Sequence, residues 1–478
     1  MPFYQSIPEI LAENRADKTA IETRTEMVIS ALDGLGRDLK ATVFLDPEFS
    51  HNQARILSSG NENLRSGNEN LPLFGVPLAH KELYGRKQTE AVWPDEGGSK
   101  SCKGQKAAKT ATTIAKLDSA GAVDCGRLVS VEYALGVTGH NAYAGTPRNP
   151  WNREYICGGS SSGSAAVVAG GIVPGAMGSD TGGSIRLPAA ACGLVGIKPT
   201  QGLVSRSGIF LLSTSLDTAG PLTRSVEDSA LILNAITGYD AADTMSIEAK
   251  KIDYTKELAT GLKGLRIGLP ERYFLEGSDS DIADKIAEVF DRLNQLGARG
   301  HNIEIKGIEN TNPLNVLLIA TEATLIHGGR LADIHADLNA QTLMRILTGA
   351  FTSPQDYARL LACRADYIAR TLPDLFDKVD MFLTPVWPFA LPTIEQSDVG
   401  SNPEAAALVQ KIGHNTRPVN FLGLPAICLP IGFDKNGLPV SAQLVGKPFS
   451  EDLLLRAAHA IEREYRFWDS RPADIKTA

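Results

Sequence analysis

The sequence predicts an α/β fold, and three features of its patterning carry that prediction. Residues 265–269 (LRIGL) read as a strand and residues 281–296 repeat apolar side chains at helical spacing through Ile282, Ile286, Val289 and Leu293. Residues 303–305 then read as a second strand, which makes a β-α-β unit. Far upstream, FGVPLAHKEL is an apolar run that reads as a buried strand ending at Lys81. Residues 381–385 (MFLTP) and 426–430 are short apolar strands, each stopped by a proline.

The other elements follow in chain order. Residues 7–35 mix charges with recurring apolar positions (Ile10, Leu11, Ile21, Val28, Leu32), the pattern of one or two surface helices. Residues 41–45 (ATVFL) form the first expected strand. A tandem repeat, SGNENLR at 59–65 and SGNENL at 66–71, is too short for a structural array and suits a duplicated surface loop. Residues 123–136 read as a strand and loop, and residues 143–151 as Pro- and Gly-rich coil. Residues 312–361 are mainly helical, with Asn312 before Pro313 as the expected start. Residues 453–465 close the chain as an amphipathic helix. No clean linker divides the chain, although the charged, Ala-rich stretch 240–256 marks the best boundary between a core half and a helical half.

With 43% hydrophobic residues and 45 glycines among 478, both a sizeable core and tight turns are available. The net charge of −8 is spread without a Lys/Arg-rich block, so the electrostatic footprint of a nucleic-acid binder is absent. The six cysteines are scattered, with no CxxC pair and no histidine at ligand spacing, which points to reduced thiols in a cytoplasmic protein. The first residues carry acids where a signal peptide needs an apolar core, and no apolar run reaches the roughly 18 residues of a membrane span.

The richest stretch runs from Gly158 to Arg186, GGSSSGSAAVVAGGIVPGAMGSDTGGSIR. It places two serine clusters in Gly-rich turns joined by small residues able to pack as a helix and strand. Glycine serves where backbone takes positive φ or approaches a ligand closely. The GSDTGGS turn offers successive N–H groups able to cradle an oxyanion. Ser184 closes that turn and is the best nucleophile candidate. A hydroxyl needs a base, and a histidine-carboxylate pair has no obvious source. His80 adjoins Lys81 but points to the opposite face of a strand, while His140 and His414 suit pocket walls or hydrogen-bonded core. A buried lysine, by contrast, can lose its charge and act as a base.

These residues resemble the amidase signature family. Residues 75–215 carry its GVP-x-x-x-K-[DE], GGSSGGS-type and D-T-G-G-S-I-R-x-P elements in order, and the likeness continues through residues 188–208, 215–230 and 417–449. The resemblance implies one large α/β domain over residues 1–478, with a mixed, mostly parallel central sheet flanked by many helices. Residues 1–70 lead into the core. It also implies that Lys81 is the family's lysine, Ser160 its bridging serine in a cis peptide, and Ser184 its acyl-forming serine. The oxyanion and substrate would meet Thr181, Gly182, Gly183 and Ala134. Ser161 and Ser162 are rival bridging serines more suited to bonding backbone. Asp180 and Arg186 straddle the nucleophile as a bracing pair, and Glu82 suits a solvated or structural place. Tyr133, Ala134, Cys157, Ile185, Phe210 and Trp387 are candidate pocket walls. No metal or cofactor is expected, and a monomer or homodimer acting on a small amide is.

The expected activity is hydrolysis of a small apolar or aryl amide, extending to esters or carbamates. A second reading is the glutamine-hydrolysing amidase subunit of a tRNA amidotransferase. Against it stand Leu187, where that subunit usually carries glutamine, and IGHNTR before Pro418, which lacks an acidic residue for a glutamine ammonium. A third reading, a non-catalytic ligand-binding protein, lacks both a phosphate-loop GK[ST] ending and a GxGxxG fingerprint.

Overall fold

A computed structural model describes residues 4–59, 68–88 and 93–473. Eleven strands form one sheet: β1 (Thr42–Phe44), β2 (Pro77–Lys81), β3 (Val123–Leu128), β4 (Gly175–Asp180), β5 (Val195–Lys198), β6 (Thr218–Thr223), β7 (Arg266–Pro270), β8 (Arg299–Ile303), β9 (Met381–Pro385), β10 (Ala426–Phe433) and β11 (Pro439–Gly446). Their order is β1-β3-β2-β4-β6-β5-β10-β11-β9-β7-β8. Strands from both sides of residues 240–256 therefore join the same sheet. Most of the tandem repeat lies outside the described residues.

The sheet is mixed, as expected, but it is not mostly parallel. Parallel pairing is confined to β3-β2-β4 on one flank and β9-β7-β8 on the other. The centre and the β1 edge are antiparallel. The reason is connectivity: β10 and β11 form a hairpin, which can only be antiparallel.

Local patterning explains most elements. Helix Ser280–Gln295 buries Ile282, Ile286, Val289 and Leu293, the stripe seen in the sequence. Helix Ile7–Ala16 starts with a capping box between Ser6 and Glu9. Three boundaries differ from expectation. Strand β8 ends where 303–305 was expected to begin, because its residues are largely exposed and carry no apolar alternation. The helix expected at Asn312 begins at Thr311, so Pro313 falls within its first turn, where its missing N–H costs nothing. Pro430 does not stop β10; the ladder shifts register between Pro430 and Gly432, a local irregularity that accommodates the missing donor.

What matters for function is the shared end of β2 and β4. Parallel neighbours deliver their C-terminal ends to the same edge of a sheet, where ligands of open α/β sheets bind. Here that edge receives Lys81 from β2 and the turn following Asp180 from β4. Behind it, helix Ser162–Ala169 is buried along its whole length. Its small side chains allow very close packing: a Cβ on Gly163 would stand 2.6 Å from both the Ala41 carbonyl oxygen and the Val129 nitrogen.

Gly163→Ala therefore forces backbone apart and should lower unfolding stability by about 1–3 kcal/mol. Gly34→Ala, where nothing lies within 4 Å of the added carbon, should leave stability within about 1 kcal/mol of the parent. Urea unfolding of the two variants side by side checks both.

Candidate active site

Lys81 is wholly buried, and its Nζ donates to Ser160 Oγ at 2.7 Å and to Ser179 Oγ at 2.9 Å. The first contact brings together two residues 79 positions apart. The Gly159–Ser160 peptide is cis. Ser160 is held from its own backbone as well, since its carbonyl accepts from Val131 N–H at 3.1 Å. Ser161 N–H donates to the Ser184 carbonyl at 3.3 Å, tying the two serine turns together. Of Lys81, Ser160 and Ser184, only Ser184 retains accessible surface, at 5%.

Burial pushes the Lys81 ammonium down from its usual value to about 7, with Asp217, Glu82 and Asp180 only partly offsetting the loss of water. His80 faces away, its Nε2 3.9 Å from Asp124, and burial holds it neutral with a value of about 3. His140 bonds Ser397, and His414 stacks on Tyr273. Neither these nor His80 accompany the serines, as the sequence indicated.

The turn after β4 is braced by Asp180. Its Oδ1 accepts from Gly183 N–H at 2.7 Å and Asn420 Nδ2 at 2.7 Å, and its Oδ2 from Ile185 N–H at 3.1 Å. Arg186 adds Nε to Oδ2 and Nη2 to Oδ1, both at 3.1 Å. Burial alone would raise the Asp180 carboxyl, but Arg186 outweighs it and holds the group at about 2. Arg186 also donates to Gln443, Asn420 and the Thr416 carbonyl, so the pair links the turn to β11 and to helix Arg417–Phe421. The expected bracing role is what the geometry shows.

Two of the four expected oxyanion or substrate contacts have committed N–H groups. Gly183 gives its N–H to Asp180, and Ala134 gives its own to the Val131 carbonyl at 2.8 Å. Gly183 is required for another reason: at φ +125° a Cβ there would lie 2.2 Å from Thr416 Oγ1. Thr181 is fixed through its hydroxyl, which donates to Asp217 Oδ1 at 2.6 Å, while the Gly182 carbonyl accepts from Thr416 Oγ1 at 2.7 Å.

Other expectations divide. Glu82 is not solvated; it is buried and accepts from Ser130 N–H at 2.7 Å. Ser161 bonds the Ser179 backbone as expected, whereas Ser162 Oγ is buried with no partner among the described residues. Tyr133, Ala134 and Phe210 share an apolar cluster with Leu212, against which Ile319 packs, and Ile319 Cδ1 reaches within 3.4 Å of a Cβ placed on Gly182. Cys157, Ile185 and Trp387 belong instead to the main core. Sequence reasoning missed Ser179 as the second partner of Lys81, although strand alternation from Met177 would have put it there. It also missed Asp217, Asn315, Arg345 and Arg417. All six cysteines are free thiols. Among the described residues no group of three or more His, Cys, Asp or Glu side chains is placed to hold a metal ion, and no helix is long and apolar enough to cross a membrane.

Comparison with known proteins agrees with this arrangement. The Amidase family model matches residues 24–455. The amidase-type component of the glutamyl-tRNA(Gln) amidotransferase of Neisseria meningitidis is 35% identical over 457 residues, covering 91% of this chain and 92% of its own. Among solved structures, a bacterial aryl acylamidase of the amidase signature family superposes with a TM-score of 0.85 at 26% identity, with 98% of each chain covered. A chain from a vestigial protein complex linked to the origins of an s-triazine catabolic enzyme gives 0.87 at 28% identity, covering 96% of this chain and 98% of its own. A serine-lined lysine at the shared strand ends and a match spanning nearly the whole chain together make this protein a member of the amidase signature family, enzymes that hydrolyse carbon–nitrogen amide bonds.

Proposed function

We propose that the chain hydrolyses a small amide through an acyl-enzyme on Ser184, with Lys81 as base and Ser160 as proton relay. The observation that carries this reading is the 2.7 Å contact between the buried Lys81 Nζ and Ser160 Oγ. A neutral amine takes the Ser160 proton as Ser160 takes that of Ser184, and Ser184 Oγ attacks the amide carbonyl. Negative charge on the carbonyl oxygen is received by the N–H groups of Thr181, Gly182 and Ser184, since Gly183 is committed to Asp180. The proton returns through Ser160 to the leaving nitrogen, and water then repeats the attack on the acyl-serine. The carbon part of the substrate rests on the apolar wall of Tyr133, Ala134, Leu212, Phe210 and Ile319.

A second reading is favoured by the 35% identity to the amidotransferase component: glutamine hydrolysis within a larger assembly, with protein partners. The carboxylates near the site weigh against it. Asp180 is taken up by Arg186, Asp217 by Thr181, Leu212 and Ser213, and Glu322 by Ser213, Ser215 and Tyr357. A glutamine ammonium finds no free partner among these.

Treatment with a fluorophosphonate should attach one adduct to the peptide containing Ser184, and Ser184→Ala should abolish both labelling and turnover. An adduct elsewhere, with the alanine variant still active, rejects the assignment.

Because the base works only when neutral, kcat/KM should rise with pH through a midpoint at about 7 and then level off. Lys81→Ala should lower kcat by about 10²–10⁴ without that pH dependence. A flat wild-type profile between about pH 5 and 9 contradicts the role of Lys81.

A further inference from the structure

The site also holds positive charge with no carboxylate facing it. Arg417 Cγ lies 3.3 Å from the position a Cβ on Gly182 would take, with Ile319 Cδ1 at 3.4 Å and Asn315 Oδ1 at 3.6 Å around the same point. The Arg417 guanidinium packs on Gly413, and its Nη1 donates only to neutral acceptors, Asn312 Oδ1 at 3.3 Å and the Gln410 carbonyl at 3.2 Å. Arg345, on helix Ala340–Gly349, approaches from the other wall and donates to the carbonyl of Leu135, next to Ala134. Among the described residues neither arginine has an ion pair. Other buried arginines do: Arg127 with Asp124, Arg186 with Asp180 and Arg206 with Asp243.

Asn315 supplies a second, independent sign. It is wholly buried beside Gly182, and among the described residues neither its amide nitrogen nor its oxygen has a hydrogen-bond partner. Buried polar groups are normally satisfied, and an orphan pair facing a turn with free N–H groups calls for a ligand. Burial lowers both guanidinium groups, and for Arg417 the charge of Arg345 lowers it further, so the two arginines act on each other. An entering anion relieves that repulsion and accepts charge-assisted hydrogen bonds.

We propose that Arg417, Arg345 and Asn315 form an anion subsite beside the Gly182 turn, and that the substrate is a small amide bearing a carboxylate. The proposal rests on the acyl-serine reading for the position of the amide, and it narrows the substrate class. The apolar wall holds the intervening carbons while the two arginines take the carboxylate. An α-ammonium beside that carboxylate meets two guanidinium groups and no free acid, so a half-amide of a dicarboxylic acid fits where an amino-acid amide does not.

The test compares succinamate, butyramide and glutamine in steady-state kinetics on the full chain. Succinamate should exceed the other two in kcat/KM by about 100-fold. Arg417→Gln and Arg345→Gln should each reduce the succinamate-to-butyramide ratio by about tenfold or more. A wild-type ratio near one, or variants that lower both substrates alike, overturns the proposal. Calorimetric binding of succinate to the Ser184→Ala chain needs no turnover: binding that weakens in the double variant with Arg417→Gln supports the subsite, and no binding overturns it. If succinate binds in this way but neither amide is hydrolysed by the parent chain, the acyl-serine reading falls while the subsite stands. Serine labelling without succinate binding gives the opposite division.

Discussion

The enclosure of Lys81 is the constraint on which the rest of the site depends. A lysine with no exposed surface and only two hydroxyl partners loses its water without gaining an adjacent carboxylate. In that setting the charged form is disfavoured and the amine becomes a base near neutrality. The surroundings follow from this requirement. Strand β2 must end inside the protein, and Ser160 must arrive from a distant turn at hydrogen-bond distance. The helix behind it must be built of residues small enough to lie directly on the strands.

The buried charges divide into two kinds. Asp180 and Arg186 are matched to each other and to Asn420 and Gln443, with every contact used to hold the nucleophile's turn in place. Breaking one partner of such a pair leaves an uncompensated buried charge, which costs several kcal/mol. Arg417 and Arg345 are matched only to neutral acceptors among the described residues. A structural charge is satisfied by the fold, while these two retain the capacity to bind.

The serine–lysine set was legible because each member sits in a local pattern with its own chemical sense: an apolar run ending in Lys81, and Gly-rich turns around Ser160 and Ser184. The Asp180–Arg186 brace was legible for the same reason, opposite charges astride a tight turn. Arg345, Arg417 and Asn315 were not, because they come from three separate segments whose meeting depends on how the helices after β8 fold over the sheet. Nor does sequence reveal that the N–H groups of Gly183 and Ala134 are used inside the protein, since that depends on where the Asp180 and Val131 oxygens lie. The balance of parallel and antiparallel pairing was hidden similarly. Individual strands were visible at β2, β7 and β9, but their neighbours in the sheet are set by long-range contacts, as where β5 lies between β6 and β10.

The central claim is the protonation state of Lys81, and nuclear magnetic resonance of isotopically labelled lysine reads it directly. Titration of the Lys81 side-chain signal, assigned by its loss in Lys81→Met and followed in the Ser184→Ala protein, should show a midpoint at about 7. A Lys81 signal that stays fully charged beyond about pH 9, toward the range of an ordinary solvated lysine, would contradict the account.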